Sequence, residues 1–534
     1  MPEVPRTTLL RNGTVLSPAD PFATALLAAG ERIVWVGGES TAQTHVDSAD
    51  AVVDLEGALV TPAFVDAHVH VTETGLARDG VDLIGCISLA EFLDRVATHA
   101  RSRPGRTVLG HGWDERSWPE ARPPTRAEVD RASGGVVAYL SRVDVHSAVV
   151  STALLDSAPD IARAAGFADG LVRRDAHHLA RRATRDGLGS RRREELQRAT
   201  LAHAAAAGIG ALHEIGAPHI AGTDDVSALL GLAAERVGPD VFAYWGATSG
   251  GVEMAVRLGC AGAAGDLNLD GSLGSRTARL TAPYADAPDQ RGFLYLDLDD
   301  ATEHVVACTR AGIQAGFHCI GDEAVRVGVT AMERAADRCG LAEVVAARHR
   351  LEHVEMIAPD LVTVMAGLGV VASVQPRFDE YWGGDAGMYA QRLGVGRART
   401  MNPFASMAGA GVTLALGSDS PVTPLGGWEM VRAASAHHRP TERMTVRAAF
   451  EAATRGGWRA VRVDDAGLLI PGMRASYAVW DVPGGLVADG SDGRGVEWSI
   501  AQRSGLPDLS ADHPLPTCLR TVVGGHTVFD RLSP

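Results

Sequence analysis

From Arg191 to about residue 465 the chain repeats one unit, an Ala-rich helical stretch followed by a short apolar strand that ends in a polar residue. Few folds accommodate that repetition. Strands separated by helices pair in parallel, with each helix as the crossover. One unit runs through residues 201–213, where an Ala-rich helix closes at Gly208 and Ile209-Gly210-Ala211-Leu212-His213 follows. Later strands end at Gly265-Asp266-Leu267-Asn268-Leu269-Asp270, Phe317-His318, Glu352-His353, Val374-Gln375 and Gly417-Ser418-Asp419. Polar residues at the C-terminal ends of parallel strands predict the α/β class and a TIM-like (β/α)8 barrel, whose active-site face gathers those ends.

The strand that opens the barrel is read in residues 59–70, Leu-Val-Thr-Pro-Ala-Phe-Val-Asp-Ala-His-Val-His. Pro62 fits only near the beginning of such a strand. Side chains alternate along a strand, so His68 and His70 share a face. Two imidazoles side by side at a buried strand end suit one divalent metal.

The remaining chain divides around the barrel. Residues 1–57 alternate short apolar stretches with turns and read as antiparallel strands. Residues 466–534 repeat that texture, at Ala475–Asp481 and Leu519–Val528, so both chain ends are expected to form one β-sandwich. Residues 58–75 hold the first barrel strand, 76–195 an α/β insertion that walls a pocket, and 196–465 the remainder of the barrel. At 534 residues, more than one domain is expected.

Composition narrows the function classes. The net charge of −15 is spread along the chain, which disfavours nucleic acid as a partner. The arginine runs at Arg181–Arg185 and Arg191–Arg193 read as solvated helix faces. No apolar run is long enough for a membrane span. Six scattered cysteines and an N-terminus without a signal-peptide core fit a cytoplasmic protein. All 50 basic residues are arginine. No lysine chemistry, neither Schiff base, general base nor carboxylated ligand, is open to this chain.

Taken together, His68, His70, His318, His353 and Asp419 stand at strand ends in a nitrogen and carboxylate proportion that suits Zn²⁺ or a similar ion. At these residues the sequence resembles the metal-dependent amidohydrolases, specifically the YtcJ-like amidohydrolase family 3 group. The resemblance rests on the His-x-His strand, Gly112-Trp113-Asp114-Glu115, Asp270-Gly271-Ser272-Leu273-Gly274-Ser275-Arg276, His318-Cys319-Ile320-Gly321-Asp322, Glu352-His353, Ser373-Val374-Gln375-Pro376 and Gly417-Ser418-Asp419-Ser420-Pro421. It implies hydrolysis at C–N amide-type bonds of a small-molecule substrate such as an amide or an N-substituted formamide, and a two-domain shape that can form a homodimer. It further implies metal binding by His68 and His70 from the first strand, His318 from the fifth and His353 from the sixth. Asp419, from the eighth, would touch the metal and act as general base, taking a proton from the attacking water and passing it to the leaving nitrogen.

The chain departs from that pattern at Asp266, where many relatives carry a lysine able to bridge two metals when carboxylated. An aspartate is shorter, so the reading favours one ion, with two ions bridged by Asp266 as the alternative. Trp113, His146, Asp270, Ser272, Arg276 and Gln375 are candidate substrate contacts, and His111 a further pocket residue. His177, His178, His219, His437 and His438 read as surface residues. Two other functions stay open at this point: the same metal site acting on another bond, as an esterase, lactonase or decarboxylase-like enzyme, or a barrel kept as a binding module.

Overall fold

Eight short strands, buried on both faces, lie parallel in one sheet: Phe64–Val69, Ile209–Gly216, Asp240–Trp245, Gly262–Ala263, Gln314–Cys319, Arg350–His353, Val371–Val374 and Thr413–Leu416. A computed structural model describes residues 7–487 and 505–532 and gives this architecture. Such strands need no polar alternation, since helices cover the outside and packed side chains fill the inside. Phe317, Leu351, Val374 and Leu416 accordingly pack with helix residues such as Val305, Val325, Leu361 and Met430 in one continuous apolar layer. The ring closes where the Asp419 N–H donates to His68 O (2.8 Å) and the His70 N–H to Ser420 O (3.0 Å).

The barrel expected from the repeated units is thus present, with one strand beyond those that a polar strand end marks in the sequence. Asp240–Trp245 pairs in parallel with the second strand, Leu212 opposite Val241 and Ile215 opposite Tyr244. The apolar run Val241-Phe242-Ala243-Tyr244-Trp245 carried its signal, but no charged or histidine ligand ends it.

Residues 59–70 form two strands rather than one. Leu59–Pro62 pairs antiparallel with Tyr477–Asp481, Val60 opposite Val479, and only Phe64–Val69 enters the barrel. Pro62 therefore ends a strand, at a corner where its missing N–H costs no ladder bond, and the barrel portion begins at Phe64. Two small sheets complete the β module. One comprises Thr7–Arg11, Ala25–Ala29, Arg32–Gly37 and Ala51–Asp54; the other joins Thr14–Val15 and Leu59–Pro62 to the C-terminal strands Tyr477–Asp481, Thr517–Val523 and His526–Asp530. They meet through Leu10, Leu26, Ile33, Val60, Tyr477, Val479 and Val522, all buried.

The insertion carries its own six-stranded sheet, built from Val81–Asp82, Val108–Trp113, Ala138–Arg142, Ser147–Val150, Phe167–Ala168 and Leu171–Arg173. It is joined to the barrel by two helices. Arg174–Asp186 leans over the barrel mouth, and Ser190–Ala206 returns the chain to the second barrel strand. All six cysteines are free thiols. Among the described residues no helix is long and apolar enough to cross a membrane.

Candidate metal centre

The first and eighth barrel strands approach so closely that a Cβ on Gly417 would lie 2.6 Å from the His68 backbone nitrogen, so only glycine fits there. Buried Asp66 ties the same two strands, accepting from the backbone N–H of Ser418 (2.9 Å) and of His68 (3.2 Å). The backbone at His353 (φ 70°) and Asp419 (φ 54°) is left-handed, uncommon for residues with a Cβ. Both side chains leave their strand ends through these turns and point into the barrel mouth.

There the expected ligands converge. His68 Nε2 lies 3.4 Å from Asp419 Oδ1 and 3.8 Å from Asp266 Oδ1, while His70 Nε2 lies 3.3 Å from Asp419 Oδ1 and 3.6 Å from Asp266 Oδ2. Three overlapping trios each bring one ligand atom per residue within 4.8 Å of the others: His68, His70 and Asp266; His68, His353 and Asp419; Asp266, His318 and His353. Asp266, the residue in the place of the family lysine, is common to two of them.

What surrounds the imidazoles decides which nitrogen each presents. His68 Nδ1 is 2.9 Å from Glu352 Oε2, His70 Nδ1 is 2.9 Å from Ile215 O, and His353 Nδ1 is 2.7 Å from Gln375 Oε1. Each of these partner atoms can only accept, so each Nδ1 carries a proton and Nε2 is the nitrogen turned toward the cluster. Outer hydrogen bonds of this kind fix ring orientation at metal sites. Glu352 is itself held by the Arg350 guanidinium through two bonds (2.5 and 2.9 Å), with both side chains fully buried.

The donor set fits a divalent cation. Buried His68 Nε2, His318 Nδ1, Asp266 Oδ1 and Asp419 Oδ1 have no hydrogen-bond partner among the described residues. Leaving so many buried polar atoms unmatched is costly without something to bind them. The charges agree. Burial works to raise the Asp266 and Asp419 carboxyls, but the surrounding imidazoles hold both below the ordinary value. Burial works to lower His70, yet Asp419 and Asp266 push it up to about 9. Two ionised carboxylates demand positive charge, and a bound cation meets that demand.

The other sequence candidates separate. Gln375 orients His353. Asp270 is fully buried and accepts from the backbone N–H of Ile320 (3.0 Å), Gly321 (2.8 Å) and Arg279 (2.8 Å), with His318 Nδ1 3.7 Å away, so it positions a ligand rather than touching substrate. Ser272 lines the pocket and donates to Asp144 (3.0 Å), tying the insertion to the barrel loop. His146 stands in the mouth, its ring 5.4 Å from that of His318. Trp113 does not reach the pocket. It is fully buried with Phe92 and Trp118 in the insertion core and donates to Leu140 O (2.8 Å), because its strand turns that face inward. Arg276 is bound to Asp286 through two bonds (3.0 and 2.7 Å) away from the cluster. His111 is anchored on Pro421 O, 2.8 Å away.

Two recesses open from the ligand cluster. One, of ≈ 350 Å³, is largely apolar, with Leu273, Ile320, Phe378, Trp382, Met388 and Val422 around a buried carboxyl, Glu355, that burial pushes up to about 7. The other, of ≈ 400 Å³, is polar. His146, His177, His178, Arg181 and His219 face His70, Asp266, His318 and Asp419 across it. This corrects the surface reading of several residues. His177 and His437 are buried, His178 and His219 line this recess, and Arg181 and Arg185 sit inside rather than on a solvated face. The Arg174–Asp186 helix buries its histidines against the mouth, a placement no local spacing encodes.

Comparison with known proteins agrees with this geometry. A model described as the amidohydrolase family matches residues 51–529. The Arabidopsis thaliana protein LONG AFTER FAR-RED 3 is 27% identical over 518 residues, covering 89% of this chain and 88% of its own. An N-substituted formamide deformylase of Arthrobacter pascens is 32% identical over 137 residues, covering 25% of each chain. The crystal structure of an uncharacterized metal-dependent hydrolase from Pyrococcus furiosus superimposes with a TM-score of 0.70 at 26% identity, over 89% of this chain and 98% of that one.

Proposed function

This chain belongs to the amidohydrolase family, and from that premise we propose that it hydrolyses a carbon–nitrogen amide-type bond of a small molecule, an amide or an N-substituted formamide, with Asp419 as general base. The observation that carries the reading is the set of buried, unpartnered ligand atoms of His68, His318, Asp266 and Asp419 facing one another at the barrel mouth. His68, His70, His318, His353, Asp266 and Asp419 would hold the ion, zinc by the chemistry of the donors. A divalent ion there lowers the pKa of the attacking water and polarises the substrate carbonyl.

The chain's own groups do the rest. Asp419, ionised and within reach of both His68 and His70, accepts the proton of the attacking water and returns it to the leaving nitrogen. His68 and His353 keep their orientation through Glu352 and Gln375. The apolar recess takes the substituent on one side of the scissile bond and excludes water from it. The local similarity to an N-substituted formamide deformylase supports the choice of substrate class.

Elemental analysis of the purified protein, with His68→Ala and Asp266→Ala variants, tests this. We expect about one equivalent of zinc, lost in His68→Ala and held more weakly in Asp266→Ala, together with turnover of N-substituted formamides ahead of matched esters and lactones. Two equivalents, one of them lost with Asp266, would make Asp266 a bridge between two ions. No metal under any loading condition would refute the hydrolytic reading.

A further inference from the structure

The polar recess holds a charge that nothing in the hydrolytic scheme uses. Arg181, on the Arg174–Asp186 helix, is only 7% exposed. Its Nη2 makes a 3.3 Å bond to Val145 O, and its buried Nε has no hydrogen-bond partner. Among the described residues it has no ion pair. Glu73 senses its charge, but both Glu73 oxygens are bonded by Arg185 one turn further on. A buried guanidinium without a carboxylate is strongly unfavourable unless a ligand supplies one.

The groups around Arg181 are of the same kind. The ring nitrogens of His146, His178 and His219 have no hydrogen-bond partner among the described residues, and the rings of His178 and His219 stack 4.5 Å apart. An imidazole offers at least one N–H, so the recess presents hydrogen-bond donors around one fixed positive charge. The balance of charge points the same way. A divalent ion is matched by Asp266 and Asp419, which leaves Arg181 as one unmatched cation facing them. A dianion would be repelled by those carboxylates, whereas a single carboxylate closes the balance.

We propose that this recess binds a carboxylate carried by the substrate, so that the favoured substrates are N-formyl or N-acyl amino acids rather than neutral amides. The proposal rests on the hydrolytic reading for the bond that is cut, while the binding it describes stands apart from turnover. Arg181 would hold the carboxylate through its planar fork, and His178 or His219 would add a donor.

The test uses the zinc-loaded full chain with a matched pair, N-formyl-β-alanine and N-propylformamide, which share the formamide bond and differ in the terminal carboxylate. The wild type should favour N-formyl-β-alanine in kcat/KM by about tenfold or more, on the scale of one charged hydrogen bond. Arg181→Gln should erase that preference and change turnover of N-propylformamide by less than about threefold. Calorimetric binding of N-formyl-β-alanine to Asp419→Asn protein, with and without Arg181→Gln, reads recognition even where nothing is turned over. Tenfold weaker binding in the Arg181→Gln background supports the proposal, and equal binding overturns it whatever the activity. Arg181→Gln should also melt no lower than the wild type, since it removes an unmatched buried cation. Failure of that variant to fold would mark Arg181 as structural and overturn the proposal.

Discussion

Glu352→Gln is the substitution that most directly tests how the metal ligands are held. The change is nearly isosteric and leaves no cavity, and the new amide oxygen can still accept from His68 Nδ1, while the amide NH2 takes the place of the oxygen that accepts from Arg350 Nε. What it removes is the negative charge beside Arg350, a guanidinium that is 0% exposed and is left with the Ala67 carbonyl (2.7 Å), His213 Nδ1 (3.1 Å) and the face of Tyr244, 4.4 Å away. Removing one partner of a buried ion pair costs about 3–5 kcal/mol, and weakening the group that orients a metal-binding histidine costs about 10–100-fold in metal affinity. Urea denaturation of metal-loaded and chelated protein, with zinc affinity measured by competition against a chromophoric chelator, reads both quantities. The double variant Glu352→Gln/Arg350→Met removes both charges and should recover most of the lost stability, because the cost comes from the stranded cation. A loss below about 1 kcal/mol in the single variant, or a double variant no more stable than the single, would refute the reasoning.

Two further outcomes follow from other parts of the structure. Trp113→Ala should destabilise the protein by about 3–5 kcal/mol, as large-to-small changes in a packed core do, while KM of the folded fraction stays within about twofold; a large rise in KM on a stable background would return Trp113 to the substrate wall. Stability should also fall in acid through Glu73. Burial opposes its ionisation, but Arg185 pulls it down to about 2 from the ordinary 4.5. The lowered carboxyl stabilises the fold above pH 4.5, by about 3 kcal/mol, and that share is lost as pH falls from 4.5 towards 2. Denaturation midpoints across that range should show the slope, and Glu73→Gln should flatten it.

The sequence made the candidate ligands legible because a parallel barrel collects its strand ends at one face. Once the helix and strand repeat was recognised, His68, His70, His318, His353 and Asp419 had only one place to meet. The residues that orient them were harder to read. Glu352 was visible only as the neighbour of His353, and nothing local shows that it faces His68 on another strand and is clamped by Arg350. Asp270 and Gln375 stood in the right motifs, but their contacts are with backbone and ligands, which depends on side-chain direction. Trp113 and Arg181 were misplaced for one reason, in opposite directions. Burial on the insertion is set by which face of it meets the barrel, and that docking is encoded by contacts far apart in sequence. The third strand escaped because it contributes no ligand histidine or carboxylate to mark its end.

The corner at Ala63 has a consequence for how the chain is made. Leu59–Pro62, directly upstream of the strand that carries His68 and His70, pairs with Tyr477–Asp481, Val60 lying opposite Val479. On a ribosome, the first of these segments emerges long before the second exists. The strand that carries His68 and His70 therefore spends most of synthesis tethered to a strand paired with Thr14–Val15 on one side but open on the side that Tyr477–Asp481 will cover, and such an edge invites wrong pairing. Closure of so long a loop is a late event. Maturation of the centre is thereby coupled to arrival of the distal strands, so that a chain stalled before residue 477 carries its histidines but lacks the scaffold that anchors them.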